Sequence, residues 1–315
     1  MSRLILFCVL ALAAQPGFGQ PEPPAKAGPK QAIPAKATPD AATLKGVRHA
    51  LILCGHPGDA AHVKTFTETV VKLGTGLTKT LGIPAERQHV VFGTEPPKAL
   101  PGATGPATRE AVTAAVADVR KSLRPEDGLW VICLGHGHHD GRQAWWNLPG
   151  PDISAGEFGK LFADIPCREQ VFVMTMSLSG YFVRPLARRD RVIIAATEAD
   201  AETNETVFPH ILAQVLNTNL KLADHDIDQD GKLTLFDLYV LVAKEVAQSY
   251  VSAEELSTEH AQLEDDGDGV GHEVQNIYLP PELGGPAPDK KKPRTPPKDG
   301  LLAARILLLP STPVP

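Results

Sequence analysis

Residues 171–182 read VFVMTMSLSGYF, an apolar run that ends at Ser177-Leu178-Ser179-Gly180. A short, near-continuous apolar run bounded by small polar residues and glycine is typical of a strand buried on both faces of a sheet. Its polar end is either an ordinary turn or a strand end that presents a hydroxyl group to a cleft. The segments on either side of the run are needed to choose between the two.

Other apolar runs resemble this one and alternate with stretches of helical spacing. The further predicted strands cover residues 50–53, 90–92, 129–134 and 192–196. The predicted helices cover residues 60–81, 106–123 and 154–162. Pro106 suits a first helical position, and Ser154 followed by Glu157 has the form of a capping box. Strands that alternate with helices predict an α/β fold with a mainly parallel sheet and helices on both faces.

Polar residues follow three of these strands, and active sites of such sheets form at the carboxyl ends of the strands. The first run ends in CGHPGD (54–59), the third in GHGHHDG (135–141) and the fourth in SLSG (177–180). A histidine beside a hydroxyl group is the pairing that nucleophilic catalysis needs. The glycines beside His136 would let backbone and substrate approach closely. A turn of Gly and His at the sheet edge is the alternative.

The order and spacing of these motifs resemble those of the legumain and caspase group of cysteine peptidases, especially the legumain branch. In that group one strand ends in His-Gly and the next in Cys-x-Ser-Gly. Here LWVICLGHG contains His136-Gly137, and Ser177 follows 41 residues after His136. The resemblance covers residues 47–210. It implies a caspase-like three-layer sandwich, with His136 as base, residue 177 as nucleophile and backbone amides near Gly137 around the oxyanion.

The chain departs from that family at the nucleophile, because Ser177 stands where the family has cysteine. A thiol with a pKa near about 8.5 supplies some thiolate at neutral pH. A serine hydroxyl usually needs a base that a third group orients. Three interpretations stay open: a hydrolase with a His136–Ser177 dyad, a catalytically silent relative that binds or scaffolds, and an unrelated site. Ser179 is an alternative nucleophile, but it matches the family's serine.

The unrelated site has one concrete form, a zinc centre. His136, His138 and Asp140 follow the pattern H-x-H-x-D, which resembles the start of the metallo-β-lactamase signature. Imidazole and carboxylate groups suit zinc. The further histidine that the signature requires after the aspartate is missing, and His56 and His62 are the candidates to approach. Solvated histidines in a glycine-rich loop are the alternative.

The cysteines offer few other nucleophiles. Cys8 would leave with a signal peptide, so the mature chain would hold Cys54, Cys133 and Cys167. One bridge with one free thiol, and three buried thiols, are both open. Cys167 precedes its strand and Cys133 lies inside one, so only Cys54 stands at a strand end.

Residues 226–237, DIDQDGKLTLFD, follow the calcium-binding pattern of an EF-hand loop. The predicted ligands at positions one, three, five, seven, nine and twelve are Asp226, Asp228, Asp230, the Lys232 carbonyl, Thr234 and Asp237. Gly231 at position six suits the sharp turn, and the flanking residues 207–220 and 235–246 have helical spacing. Because Asp237 replaces the usual glutamate, we expect weaker coordination. A solvated acidic turn and Mg²⁺ are the alternatives.

A second acidic stretch, LEDDGDGVGHEVQ (263–275), repeats the early part of this pattern. Glu264, Asp266 and Asp268 occupy positions one, three and five. Gly271 stands at the apolar position and Gln275 at the last one. The stretch is either a second ion site or a turn of ordinary Asp and Gly residues.

The chain ends predict export and extended linkers. Residues 1–19 have Arg3 followed by a short apolar stretch, which is typical of a secretory signal peptide. Residues 20–45 form a Pro/Ala-rich linker, 46–210 the α/β domain, 211–279 an EF-hand-like helical region, 280–300 a Pro/Lys-rich linker and 301–315 a C-terminal tail. The apolar run at 301–309 predicts an edge strand or a helix turn.

Charge and hydropathy limit the partners. The formal net charge is −6, so the chain lacks the basic surface that tracks nucleic acid. No segment after the signal is apolar for long enough to span a membrane. We therefore predict an exported calcium-binding protein whose legumain/caspase-like domain contacts a protein or peptide and is catalytically impaired by Ser177. An active endopeptidase that uses the His136–Ser177 dyad is the alternative.

Overall fold

The computed structural model describes residues 46–199, 201–287 and 298–308. The predicted signal peptide, the linker at 20–45, Cys8 and the end of the tail lie outside the described residues. None of the helices in the described part of the chain is long and apolar enough to cross a membrane.

The described residues form nine strands. These are β1 Arg48–Cys54, β2 Gln88–Val91, β3 Gly128–Leu134, β4 Gly137–His139, β5 Ala144–Trp146, β6 Ile153–Ser154, β7 Glu169–Met174, β8 Arg191–Ala195 and β9 Gln262–Glu264. The main sheet has the order β2-β1-β3-β7-β8-β9, and every neighbouring pair is parallel except β8 with β9. The mainly parallel α/β sheet predicted from the apolar runs is confirmed. Strands β4, β5 and β6 form a small antiparallel sheet beside it.

Seven α-helices connect or follow the strands in the described residues. They are α1 Ala60–Leu81, α2 Arg109–Ser122, α3 Ala155–Leu161, α4 Gly180–Leu186, α5 Phe208–Asn217, α6 Leu222–His225 and α7 Leu235–Ala253. Helix α3 begins with the predicted capping box of Ser154 and Glu157. Helix α2 begins after the predicted Pro106, because the Thr108 hydroxyl accepts a hydrogen bond from the Ala111 amide and caps the helix there.

Two hydrophobic cores lie on opposite faces of the main sheet. All residues of β1, β3, β7 and β8 are buried, and alternate residues of each strand face opposite sides. On β1, Ile52 packs in the core with α1, α5 and α7, and Leu53 packs in the core with α2, α3 and α4. Burying one such side chain stabilises the fold by about 1.5–3 kcal/mol. The result is a three-layer α/β/α sandwich.

A buried ion pair fastens the amino ends of the central strands. The Arg48 guanidinium donates to both carboxylate oxygens of Glu169, at 2.7 and 3.1 Å. The Trp130 indole nitrogen also donates to Glu169, at 2.8 Å. Arg48 Nη2 donates in addition to the Leu307 carbonyl oxygen, at 2.8 Å. The first strand of the sheet is thereby tied to the C-terminal part of the chain.

The described region that follows residue 210 belongs to the same compact unit as residues 46–199. Helices α5 and α7 line the core that also receives α1, and β9 extends the sheet. The predicted helical region after residue 210 thus packs on the predicted α/β domain. In the predicted Pro/Lys-rich linker, Asp299 is fully buried.

Of the two structures expected for the C-terminal apolar run, residues 298–308 form the helix turn and no edge strand of the main sheet. Residues Ala303–Arg305 form a 3-10 helix, and Leu307 forms an isolated antiparallel bridge with Thr234. Ala303 and Leu308 are buried in the core. The tail therefore contributes to the packing of the domain as far as residue 308.

Candidate functional site

The candidate active site lies where the parallel strands end. Strand β1 has β2 on one side and β3 on the other, so the chain crosses in opposite directions from β1. The crevice at such a switch point is the usual ligand site of a parallel sheet. The turns after β1, β3 and β7 meet there and contain Pro57, His136 and Ser177.

His136 is oriented by the turn after β1 and by α1. Its Nε2 lies 3.1 Å from the Pro57 carbonyl oxygen. Because a carbonyl oxygen only accepts, this contact places a proton on Nε2, so that in the neutral ring Nδ1 is the nitrogen with the free lone pair. The ring packs against those of His62 and Phe66, with centroids 5.1 and 5.4 Å away. The residue predicted as base is thus held in one tautomer.

The residues predicted as nucleophile and oxyanion support lie against each other. A Cβ atom added to Gly137 would lie 2.9 Å from the Ser177 carbonyl oxygen, so only glycine allows this approach. Ser177 is 5% exposed. Among the described residues, the His136 ring makes no hydrogen bond to Ser177 Oγ. The structure brings the backbones of the two strand ends together without pairing base and hydroxyl.

The turn after β7 is strained and firmly held. Leu178 has a φ of 61°, in the left-handed region that a leucine rarely adopts. Its amide donates to the Glu202 carbonyl oxygen at 3.1 Å. Ser179 is fully buried, and its amide and hydroxyl contact Thr197 Oγ1 at 2.9 and 3.0 Å. Because the buried Ser179 hydroxyl is hydrogen-bonded to Thr197, it is not available as the alternative nucleophile.

Two carboxylates beside His136 were not expected from the sequence. His62 Nδ1 lies 2.8 Å from Asp59 Oδ1, and His62 Nε2 lies 3.1 Å from Glu205 Oε2. The hydrogen bond to Asp59, and then the one to Glu205, raises the pKa of His62. Because both partners are carboxylates, which only accept, the two contacts favour the protonated ring, in which both nitrogens donate. Ligand atoms of His62, His136 and Glu205 lie within 4.8 Å of one another.

The sequence contains a signal for only one of these carboxylates. Asp59 caps α1 and accepts from the His62 amide at 2.9 Å, and Asp three residues before His suits a helix start. Glu205 lies 143 residues from His62, in a segment whose position depends on the whole fold. No local pattern indicates that contact.

The predicted H-x-H-x-D zinc centre is not assembled. His138 Nδ1 lies 2.7 Å from Asn147 Oδ1, and its ring stacks on Trp145. Asp140 accepts from the amides of Arg142 and Gln143 in a tight turn. Within the described ranges, the metal-ligating group around His136 includes neither of them. Turn formation by Asp140 is the physical reason, although His62 does approach His136 as the sequence suggested.

The three cysteines of the described chain are buried free thiols. This decides the disulfide question in favour of unpaired cysteines. Burial raises the pKa of Cys54 to about 12 and that of Cys167 to about 12, and it also raises the pKa of Cys133. Because the thiolate is the nucleophile, none of these thiols replaces Ser177 chemically.

The predicted calcium loop brings together part of its ligand set. Carboxylate oxygens of Asp226, Asp228 and Asp237 lie within 4.8 Å of one another. Calcium–oxygen distances of about 2.4 Å allow opposite ligands up to about 4.8 Å apart, so the spacing fits a calcium ion. Burial, and then the charges of Asp237 and Asp230, raise the pKa of Asp228 to about 6. Asp230 stands outside this group, and its Oδ1 accepts from the Lys232 amide at 2.9 Å.

Asp237 also supports the loop through hydrogen bonds. It accepts from the Ile227 amide at 2.8 Å and from both the amide and the hydroxyl of Thr234 at 2.8 Å. Thr234 and Asp237 form the capping box of α7. The Leu308 amide donates to the Leu233 carbonyl oxygen at 2.9 Å, so the tail borders the loop. Among the described contacts, the Lys232 carbonyl oxygen accepts no hydrogen bond.

The chain before the loop does not form one continuous helix that leads into it. Helix α5 ends at Asn217, and the four-residue α6 precedes the loop. The Asn217 side chain donates to the Lys72 carbonyl oxygen at 2.8 Å, and Lys79 donates to the Asn217 carbonyl oxygen at 2.6 Å. These bonds fasten the end of α5 to α1, so the chain turns away before the acidic residues begin.

The second acidic stretch also groups three carboxylates. Oxygens of Glu264, Asp266 and Asp268 lie within 4.8 Å of one another. Glu264 ends β9 and is fully buried, and burial raises its pKa to about 7. Asp266 and Asp268 lie on the exposed side of the turn.

The structure is similar to two solved peptidase structures in general fold. One is a secreted C11 cysteine protease from Bacteroides thetaiotaomicron in complex with an irreversible peptide inhibitor, at 12% identity and a TM-score of 0.40, with 69% of this chain and 65% of that chain covered. The other is the Drosophila initiator caspase Dronc, at 11% identity and a TM-score of 0.41, with 82% of this chain and 96% of that chain covered. The chain thus spans just under two thirds of the first structure.

No protein-family model matches the sequence, and no curated protein matches it.

Proposed function

We propose that this chain is an exported, calcium-binding protein with a legumain/caspase-like peptidase domain whose catalysis is impaired by Ser177. The observation that supports the peptidase part is the contact between Gly137 and the Ser177 backbone at adjoining strand ends, beside a histidine of defined tautomer. The cleft there would take an extended segment of a polypeptide. The export part depends on the signal pattern of residues 1–19.

The impairment follows from the chemistry of the hydroxyl group. A serine must lose its proton to a base during attack on a peptide carbonyl, and an efficient base is itself oriented by a charged third group. The group that orients His136 is the neutral Pro57 carbonyl. Ser177 Oγ also lacks a hydrogen bond to the His136 ring among the described contacts. A cysteine at the same position would need less help, because its proton is far more acidic.

An active endopeptidase is the second candidate, and the tautomer of His136 favours it. With Nε2–H donating to Pro57, Nδ1 is the atom that would accept the Ser177 proton and pass it to the leaving amine. Backbone amides near Gly137 would stabilise the oxyanion. The same geometry therefore serves both candidates, and only turnover separates them.

Assays of the purified chain on a peptide library test the two candidates. We expect little turnover by the wild type and an increase of at least about 100-fold in Ser177→Cys, of the size that general base and nucleophile effects supply. His136→Ala in the Ser177→Cys background should abolish the gain. Ser179→Cys is the matched control, since that side chain is buried against Thr197. Wild-type turnover that is lost in Ser177→Ala would instead establish the active dyad.

The calcium part is supported by the convergence of Asp226, Asp228 and Asp237. Calorimetric titration of CaCl₂ into the EDTA-stripped chain should show binding that Asp226→Ala weakens by at least about tenfold, since it removes a charged ligand. Asp224→Ala is the matched control, because Asp224 is an exposed acid two residues before the loop. No difference between Asp226→Ala and Asp224→Ala would refute this site.

A further inference from the structure

The end of β9 contains a buried carboxylate that is only half satisfied. Glu264 is fully buried. Its Oε1 accepts from the amides of Gly267 and Gly269, at 2.6 and 3.3 Å. Its Oε2 is buried and has no hydrogen-bond partner. Buried polar atoms are almost always paired, and an unpaired carboxylate oxygen is among the costliest exceptions.

The unpaired carboxylate points into a turn with two more acids. Because Oε1 accepts from two amides of residues 267–269, the Glu264 carboxylate is directed into that turn. Oxygens of Asp266 and Asp268 lie within 4.8 Å of it and of each other. One oxygen of each is fixed by the backbone, since Asp266 Oδ1 accepts from the Asp268 amide at 2.9 Å and Asp268 Oδ1 from the Val270 amide at 2.8 Å. The turn therefore arranges three carboxylates around one point.

The Lys298 ammonium group faces the two outer acids of this group. Lys298 Nζ forms an ion pair with Asp268 Oδ2 and lies 3.5 Å from Asp266 Oδ2. Its side chain is 52% exposed. No ion pair between Lys298 and Glu264 occurs in the described part of the chain. This exposed ammonium group partly balances the two outer acids, and Arg191 interacts electrostatically with Glu264 without donating a hydrogen bond to it among the described contacts.

We propose that Glu264, Asp266 and Asp268 bind a second divalent cation, with Ca²⁺ as the ion of choice, and that this ion displaces Lys298 from the two aspartates. The carboxylate spacing suits oxygen–calcium distances of about 2.4 Å. The ion supplies the partner that Glu264 Oε2 lacks. This site is separate from residues 226–237 and does not depend on calcium binding there.

The C-terminal segment connects the second site to the first loop. Asp265, between two of the ligands, accepts from the amides of Gly300, Leu302 and Ala303 at 3.0, 2.7 and 2.9 Å. The same segment ends with the Leu308 amide on the Leu233 carbonyl oxygen. An ion bound at Glu264 therefore stabilises the attachment of residues 300–303 to Asp265. The other end of this segment, at Leu308, borders the first acidic loop.

Ion stoichiometry in the full chain tests the proposal. Calorimetric titration of CaCl₂ into EDTA-stripped protein should show one bound ion fewer for Asp266→Asn/Asp268→Asn than for the wild type. In the Asp226→Ala background, in which the first site is weakened, the same double substitution should remove the tighter of the two remaining binding events. Asp118→Asn, an exposed acid on α2, is the control and should leave the number unchanged. An unchanged stoichiometry in the double variant would overturn the proposal, whatever the first loop binds.

Two further variants distinguish an ion site from a structural turn. Glu264→Gln keeps an acceptor for the Gly267 and Gly269 amides but loses the charge, so it should weaken the second Ca²⁺ by at least tenfold without lowering the thermal midpoint in EDTA. Lys298→Met should tighten that Ca²⁺ several-fold, because the competing ammonium group is gone. A lower midpoint of Glu264→Gln in EDTA together with unchanged Ca²⁺ affinity would assign the carboxylate to structure alone.

Discussion

Residues 226–237 contain their candidate ligands within twelve consecutive positions, whereas the strand-end site draws Pro57, His136 and Ser177 from the ends of three strands. The loop closes through its own residues, as when Asp237 accepts from the Ile227 amide. The strand ends are held by contacts across the sheet, such as the one between Ser179 and Thr197. A local site of this kind is encoded in one stretch of sequence, and a distributed site exists only when the whole sheet has formed.

The largest expected difference between the two regions comes from matched glycine substitutions. A Cβ atom at Gly180 would lie 2.4 Å from the Ala199 amide nitrogen, so Gly180→Ala should lower the free energy of unfolding by about 3 kcal/mol through overpacking against backbone. At Gly231, with a φ of 82°, nothing lies within 4 Å. Gly231→Ala should therefore cost only about 1 kcal/mol, the backbone cost of the left-handed region.

Urea unfolding of the two glycine variants without Ca²⁺ measures both costs. If Gly231→Ala is as destabilising as Gly180→Ala, the contrast between an open loop and a packed strand end is wrong.

A smaller difference is expected for two threonines. Thr197→Val leaves the buried Ser179 amide without its acceptor and should cost about 2 kcal/mol. Thr234→Val removes the cap of α7 and should cost about 1 kcal/mol. Calorimetry should show weaker Ca²⁺ binding only for Thr234→Val, because Thr234 donates hydrogen bonds to Asp237 and Thr197 does not. Equal Ca²⁺ affinities in the two variants would remove Thr234 from the support of the loop.

The smallest expected effects are changes of folding stability with pH, and they occur in two separate pH ranges. Burial raises the pKa of Asp228 to about 6, so the folded chain holds a proton that the unfolded chain releases near 3.8, and stability falls as pH rises between them. The hydrogen bond to Glu202 raises the pKa of His260 above 6.5, so its contribution is complete below 6.5 and lost as pH rises through the raised value. The Glu202 carbonyl accepts from Leu178, which places this pair beside the strand-end site.

Unfolding midpoints recorded in EDTA between pH 4 and 9 separate these windows. Asp228→Asn should flatten the curve below about pH 6, and His260→Gln should flatten it above 6.5. A curve that changes above pH 6.5 for Asp228→Asn, or below about pH 6 for His260→Gln, would contradict the assignment of these two residues to the two pH ranges.

The apolar runs were sufficient to predict the five parallel strands of the main sheet, because strands buried on both faces must be continuously apolar. They did not predict β4, β5, β6 or β9. The span of α1 and the Ser154 capping box also follow from local patterns. Contacts between segments that lie far apart in the sequence have no such local pattern. The Pro57 carbonyl on His136 and the Leu308 amide on Leu233 depend on backbone atoms, which every residue possesses. The legumain branch, export and calcium binding stay predictions.

The hydrogen bond from the Arg48 guanidinium to the Leu307 carbonyl oxygen brings the two ends of the described chain close together. Arg48 begins the first strand, and its guanidinium holds the backbone of the last described segment at 2.8 Å. The two ends of the described chain therefore meet at the amino edge of the sheet, opposite the edge that contains His136 and Ser177. Circular permutants that join these ends and open the exposed turn at 140–142 would keep every strand pairing of the main sheet.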